Sequence, residues 1–151
     1  MAKSFLVNHI LVLVDGTDSS FHAADRAIDL ARSLGARLTA MAVIDRETLH
    51  QLLSVKILVD AELGEFEREL EASARRHLET VRQRALDHRL VIEEVLLSGN
   101  VEDIVPKEVH ARRVDLICLG AFQCGRVPRD LLARQRQQIA DRASCPVLIV
   151  K

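Results

Sequence analysis

The sequence has few cysteines, and their arrangement indicates neither a disulfide framework nor a zinc site. The three cysteines, Cys118, Cys124 and Cys145, are an odd number with no CxxC pair and no histidine cluster nearby. Cys118 and Cys145 are expected to be small apolar core residues. Cys124 is expected in a loop beside Arg126, where a redox role is the alternative. We therefore predict a cytoplasmic protein in a reducing setting.

Long hydrophobic runs and an excess of charge are also absent. The longest early apolar run, Ile10 to Val14, is far too short for a bilayer, which needs about 20 apolar residues. The first residues lack the pattern of a signal peptide, so we expect a soluble, unprocessed chain with no membrane partner. A net charge of -1 argues against a nucleic-acid-binding surface.

Several catalytic patterns are missing as well. No GxGxxG follows the first apolar run, which disfavours a dinucleotide enzyme. No Ser/His/Asp arrangement, carboxylate pair or metal cluster stands out, and surface or satisfied structural roles are expected for all six histidines. We therefore predict a protein that is not an enzyme, with no metal and no catalytic residues.

What the sequence does contain is an alternation of apolar runs and amphipathic stretches, without internal repeat or low-complexity segment. Strands are predicted for His9 to Val14 and four later segments, and helices for the segments between them. The four later strands are 37–44, 91–97, 114–119 and 145–150, and the predicted helices begin near Asp18, Phe66, Val101 and Arg129. Pro106 predicts a kink or a late start in the third of these helices.

This order predicts parallel βαβ units with right-handed crossovers, because strands and helices alternate at short intervals. We expect residues 1–151 to form one α/β domain with a single open, mainly parallel five-stranded sheet and helices on both faces, of the Rossmann-like type. Residues 45–60 are predicted to be an excursion with a helical stripe of Leu49, Leu52, Leu53 and Ile57.

The candidate ligand site is the stretch from Asp115 to Arg134. An apolar strand ends there at Gly120 and is followed by a loop and the start of a helix. Open α/β sheets bind ligands at positions with this arrangement. A local basic run of Arg126, Arg129, Arg134 and Arg136 follows Gly120. It is interpreted mainly as a solvated helix end facing Asp130, with an anion site as the alternative.

Several segments in order make the chain resemble the universal stress protein family. They are His9–Ser20 with the sequence HILVLVDGTDSS, Ala27–Ala31, Leu34–Ala36, Ser98–Gly99, Val114–Gly120 and Ala143–Val150. The resemblance implies a cytoplasmic stress-response protein with strand order 3-2-1-4-5. It also implies a homodimer through Val147, Leu148, Ile149 and Val150, whose edge position would leave backbone groups to pair.

The family divides by ATP binding, and the binders carry a glycine motif after the fourth strand. Aligned from Gly120, this chain has Gln123, Ala133 and Arg134 where the motif has glycine, glycine and a hydroxyl residue. Gln123 would place a side chain where the triphosphate lies, whereas Arg134 adds a cation that could meet an anion. Gly125 lies outside the motif's register. The departures favour the branch without ATP and therefore no cofactor.

The other candidate ligand residues each have a structural alternative. By resemblance, Asp15 matches a carboxylate that meets adenine, but it would equally cap the next helix. Val43 aligns with a main-chain adenine contact, or packs in the core. The full candidate set is Asp15, Gly16, Val43, Gly120, Ala121, Gln123, Gly125, Arg126 and Arg134.

Three functions follow from these observations. The first is a dimeric stress protein that acts through unknown protein partners without ATP. The second is a regulator that binds ATP or AMP with magnesium through a degenerate phosphate loop, with slow ATPase activity conceivable. The third is an adenylate-forming enzyme, indicated only by fragments of an SGGxDS-like loop in Asp15–Ser20.

Overall fold

The computed structural model describes residues 6–46, 50, 54, 60–121 and 130–151. Strands and helices alternate throughout these segments. In chain order the elements are β1 (His9–Leu13), α1 (Asp18–Leu34), β2 (Arg37–Asp45), α2 (Asp60–Asp87), β3 (Glu93–Gly99), α3 (Val101–Ala111), β4 (Leu116–Gly120), α4 (Asp130–Arg142) and β5 (Val147–Val150).

The five strands form one parallel sheet in the order β3-β2-β1-β4-β5. Strand β1 is central, and Ile10 is in register with Leu38 of β2 on one side and Leu116 of β4 on the other. Strand β5 pairs with β4 and ends the sheet. The predicted open α/β sheet and its implied strand order are confirmed.

Two hydrophobic cores lie on opposite faces of the sheet. Alternate residues of the buried strand β1 enter different cores, as the period of two in a strand requires. Ile10 and Val12 belong to the core beneath α1 and α2, whereas Leu11 and Leu13 belong to the core beneath α3 and α4. The run of apolar residues in β1 therefore reflects burial on both faces.

Helix α1 has a capping residue at each end. The Thr17 side chain caps the helix by accepting a hydrogen bond from the Ser20 amide, and Gly35 closes it in the left-handed conformation at φ 64°. The Thr17 cap fixes the turn between β1 and α1, which carries the candidate site residues Asp15 and Gly16.

Several predicted boundaries differ from the structure: β1 ends at Leu13, β4 begins at Leu116 and β5 begins at Val147, each within two residues of the predicted bound. Strand β3 begins at Glu93 rather than at Val91, which is 84% exposed and precedes the first register pair with β2. Helix α3 begins at Val101 and contains Pro106, so the late start is wrong. The helix continues through Pro106 because Val101, Val105 and Val109 are buried on one face, and this packing outweighs the loss of one hydrogen bond.

The second crossover is only partly described. Helix α2 extends further at both ends than the apolar stripe from Phe66 to Ala85 predicts. The predicted stripe of Leu49, Leu52, Leu53 and Ile57 lies outside the described residues. Among the helices that are described, none combines the length and the hydropathy that a membrane span requires.

Candidate functional site

The candidate site lies at the carboxyl ends of β1 and β4. Strand β1 connects through α1 to β2 on one side, whereas β4 lies on its other side, so the strand order reverses between β1 and β4. Open α/β sheets bind ligands at such a switch point. The structure brings Asp15, Gly16, Gly120 and Ala121 to this edge, directly after the strands, as predicted.

Asp15 is held by the turn that opens α1. Its Oδ1 accepts hydrogen bonds from the Thr17 amide at 3.1 Å and from the Thr17 hydroxyl at 2.5 Å. The Asp15 amide donates to the Ser20 hydroxyl at 3.3 Å. Asp15 therefore organises the turn, but the capping side chain is that of Thr17. One carboxylate oxygen is committed to the turn, and Oδ2 points to a different partner.

That partner is Arg136 of α4, whose side chain is 5% exposed. Its guanidinium lies between the ends of β1 and β4 and donates four hydrogen bonds. Nη2 donates to Asp15 Oδ2 at 2.8 Å and to Thr17 Oγ1 at 3.0 Å. Nη1 donates to Ser19 Oγ at 3.0 Å and to the Ala121 carbonyl at 2.6 Å. An arginine of the chain itself thus occupies the switch point.

The charge of Arg136 determines the protonation state of its partner. Burial raises the pKa of Asp15, but the Thr17 hydrogen bonds and the Arg136 guanidinium outweigh it and leave the pKa below the usual value. Asp15 is therefore ionised at neutral pH. The pair is a buried ion pair whose members also have neutral hydrogen-bond partners, the arrangement that buried charges require.

Gly120 has a packing role at this site. A Cβ atom on Gly120 would lie 2.7 Å from the backbone carbon and oxygen of Ser19, closer than real contacts allow. The glycine therefore lets the first turn of α1 approach the end of β4. This packing role is additional to the two roles weighed for Gly120, contact with a ligand or a turn.

The His77 ring of α2 lies against Gly16. Gly16 has φ +83°, and a Cβ atom built on it would clash with His77 Cε1. The His77 ring also contacts Phe21 edge-on, with ring centroids 5.8 Å apart. Helix α2 thus covers the turn after β1, and glycine is required at position 16 for conformation and for space.

The remaining predicted site residues separate into three groups. Val43 is partly buried and packs against the core beneath α3 and α4, which fits its structural alternative. Arg134 is exposed, although it was predicted to replace the motif hydroxyl near a ligand. Three predicted site residues and the loop cysteine lie outside the described residues: Gln123, Gly125, Arg126 and Cys124.

Sequence reasoning assigned Arg136 to a solvated helix end, and this interpretation was wrong. A signal was available, because Arg136 precedes the buried Ile139 by three residues and therefore lies on the inward face of α4. The neighbouring Gln135 is also buried and donates to Asp45 Oδ2 at 3.0 Å. Helix α4 thus directs two polar side chains at the carboxyl edge of the sheet.

Of the described cysteines, Cys118 is buried and Cys145 is partly buried, and both thiols are held in the protonated form. Burial raises the pKa of the Cys118 thiol to about 12, and burial together with the charge of Asp115 raises that of Cys145. Of the histidines, His9 is buried and pairs through Nε2 with Thr39 Oγ1 at 2.7 Å, a satisfied role as predicted. Within the described segments no group of three His, Cys, Asp or Glu could hold a metal ion.

Comparison with known proteins identifies the family. The model of the universal stress protein family matches residues 7–151, so the chain belongs to that family. The universal stress protein YxiE of Bacillus subtilis is 25% identical over 149 residues, which cover 97% of this chain and 100% of the relative. The resemblance predicted from the sequence is confirmed.

Solved structures of the family have the same fold. UspA from Lactobacillus plantarum superposes with a TM-score of 0.74 at 22% identity, covering 97% of this chain and 99% of that one. A universal stress protein in complex with cAMP superposes with a TM-score of 0.70 at 23% identity, covering 96% and 97%. At these identities the likeness concerns the fold alone.

Proposed function

We propose that this universal stress protein acts as a cytoplasmic homodimer through contacts with other proteins, and that it binds no nucleoside triphosphate at the switch point. One observation supports the second part above all others. The Arg136 guanidinium lies in the crevice and donates a hydrogen bond to Oδ2 of Asp15 at 2.8 Å. No catalytic step is part of this proposal.

A nucleotide at this edge would need groups that the chain already uses. The family resemblance assigns the Asp15 carboxylate to adenine, but here Oδ1 accepts from Thr17 and Oδ2 from Arg136. The main chain at Gly120, which triphosphates approach in the ATP-binding branch, lies against Ser19. Binding would therefore require separation of a buried ion pair, which leaves a charge without its partner.

Magnesium ATP titration of the wild-type protein tests this proposal directly. We expect no saturable heat by isothermal titration calorimetry up to about 1 mM nucleotide, equivalent to a binding free energy weaker than about 4 kcal/mol. The control is the same titration with Arg134→Ala, which changes the exposed motif arginine and should not alter the result. Micromolar binding of ATP to the wild type would overturn the proposal.

A second candidate is a regulator that binds a nucleoside monophosphate. The similar structure in complex with cAMP favours it, because that ligand carries one phosphate rather than three. In this chain Arg136 could exchange Asp15 for a single phosphate, since guanidinium groups bind phosphates bidentately. Saturable binding of AMP or cAMP without ATP binding would select this candidate.

Strand β5 supports the dimer. It ends the sheet, and the Ile117 amide donates to the Pro146 carbonyl while the Ala121 amide donates to the Val150 carbonyl. In a parallel ladder alternate residues face the neighbouring strand, so the backbone groups of Val147 and Ile149 face away from β4. An antiparallel pairing of β5 with a second copy would satisfy these outward groups.

The oligomeric state and one proline substitution test the dimer. We expect light scattering to give twice the chain mass of 16.9 kDa. Ile149→Pro removes an outward amide and should yield a folded monomer, because an edge strand tolerates proline where no ladder bond is lost. Val91→Ala, at an exposed position outside β5, is the control and should leave the dimer intact. A wild-type monomer at about 100 µM would contradict the proposal.

A further inference from the structure

The groups around Arg136 share one property, which is that each accepts hydrogen bonds. They are the Asp15 carboxylate, the Thr17 and Ser19 hydroxyls and the Ala121 carbonyl, at 2.6 to 3.0 Å from the two terminal nitrogens. A guanidinium has donors only, fixed in one plane. Four acceptors around one planar group match this donor pattern.

Three amide donors at the same edge are committed within the chain. The Thr17 amide donates to Asp15, and the Ser20 amide donates to the Thr17 carbonyl and hydroxyl. The Ala121 amide donates to the Val150 carbonyl at 2.8 Å. Phosphate sites at helix N-termini depend on free amides that point at the anion. The amides named here do not offer that arrangement.

From this polarity we infer that the switch-point crevice is a recognition site for a guanidinium group, and that Arg136 supplies this ligand from within the chain. The inference rests on the proposal that the site binds no ATP. It assigns the site a ligand class, which is a small planar cation with several hydrogen-bond donors. Arg136 is then a bound ligand that is covalently attached to α4.

The inference separates two effects that removal of Arg136 would have. If the side chain merely obstructs a nucleotide pocket, shortening it opens a site for ATP or AMP. If the surrounding groups form a cation site, shortening it leaves a cavity lined by Asp15, Thr17, Ser19 and Ala121. That cavity retains a carboxylate without a counter-charge, so it takes up a cation and repels phosphates.

The test is chemical rescue of Arg136→Ala by methylguanidinium at concentrations up to about 20 mM, far below those at which guanidinium salts unfold proteins. We expect a saturable rise in the melting temperature of the variant and no such rise for the wild type. Methylammonium, which has the charge without the planar fork, should bind at least about tenfold more weakly. Arg75→Ala, which removes an exposed arginine, is the matched control and should show no rescue.

A second variant keeps the test decisive if Arg136→Ala does not fold. Arg136→Gln retains a polar side chain of intermediate length, and methylguanidinium should again raise its melting temperature. Adding Asp15→Asn to either variant removes the carboxylate and should abolish most of the rescue. A rescue that is unchanged by Asp15→Asn, or equal for methylguanidinium and urea, would overturn the inference.

Nucleotide titration of the same variants distinguishes this inference from the proposed function. If Arg136→Ala binds ATP or AMP and shows no response to methylguanidinium, the cation site is wrong, although the exclusion of ATP by Arg136 in the wild type stands. If the wild type binds ATP while the variant is still rescued by methylguanidinium, the proposed function fails and the cation site is supported.

Discussion

Two arginines at opposite edges of the sheet form ion pairs of the same kind but with different exposure to water. Arg112, at the end of α3 and the amino edge of the sheet, bonds Glu108 at 2.8 Å and also pairs with Glu93. Its side chain is 28% exposed, whereas that of Arg136 at the carboxyl edge is 5% exposed. Arg112 joins α3 to β3, whereas Arg136 joins α4 to the turn after β1, in both cases through carboxylates.

The difference lies mainly in the exposure of the arginines. Glu93 is 49% exposed and can be solvated by water if Arg112 is lost, whereas Glu108, at 24%, is about as shielded as Asp15. Because Arg112 itself is 28% exposed, its pairs are worth little in net free energy. Loss of Arg136 leaves Asp15, 21% exposed, with a charge that water reaches poorly. We therefore expect the amino edge to tolerate changes that the carboxyl edge does not.

The largest effect is expected for Arg136→Ala. The substitution should reduce the free energy of unfolding by about 3–5 kcal/mol, because it breaks a buried pair and leaves Asp15 unpaired. Urea denaturation followed by circular dichroism measures this change. The double variant Asp15→Asn/Arg136→Ala should recover part of the loss, and a double variant that loses the sum of both single effects would contradict the coupling.

Gly120→Ala is expected to have the next largest effect. The new Cβ would lie 2.7 Å from the Ser19 backbone, so α1 and β4 must move apart, at a cost of about 1–3 kcal/mol. Urea denaturation again provides the measurement. Gly64→Ala is the control, because a Cβ there meets nothing within 4 Å and alanine favours a helix. Equal losses for the two variants would refute the close approach.

Arg112→Ala sharpens the comparison from the other edge. We expect a loss of at most about 1 kcal/mol, and the loss should shrink further in 1 M salt, because the pairs with Glu93 and Glu108 are partly solvated. Urea denaturation at low and high salt gives both numbers. A loss as large as that of Arg136→Ala would show that burial does not distinguish the two edges.

The smallest effect concerns pH. The folded-state pKa of Asp15 is below its unfolded value, so Asp15 contributes stability above the unfolded pKa and loses it as pH falls through the folded pKa. The wild type should therefore lose more stability below about pH 4 than Asp15→Asn does. Denaturation curves at pH 3 and pH 7 for both proteins provide the test, and parallel losses would contradict it.

The elements that the sequence predicts best are those fixed by local chemistry. Strand β1 can be recognised in the sequence as a run of apolar residues, and the ends of α1 can be recognised from Thr17 and Gly35. The start of β3 cannot be recognised in this way, because Val91 has strand propensity but precedes the pairing with β2. Pro106 gives a wrong prediction of where α3 begins, because the burial of valines on α3 outweighs the low helix propensity of proline.

The candidate site was predictable in position but not in content. Asp15 and Gly120 follow directly from where apolar strands end. The contact between Asp15 and Arg136 spans 121 residues, and no local pattern specifies a partner at that separation. The charge of Arg136 indicated a solvent-exposed side chain, whereas its position three residues before Ile139 indicated a side chain that faces the interior. Only the packing of α4 on the sheet decides between these two.

The close contact of Gly120 with Ser19 has a consequence for what ATP binding at the switch point would require. Changing Gln123 and Ala133 to glycine would supply two residues of the motif, yet Gly120 already is glycine and its free space is taken by α1. ATP binding would also need Arg136 replaced and the first turn of α1 withdrawn. Because each of these changes costs stability before any nucleotide binds, we expect the glycine substitutions alone not to create an ATP site.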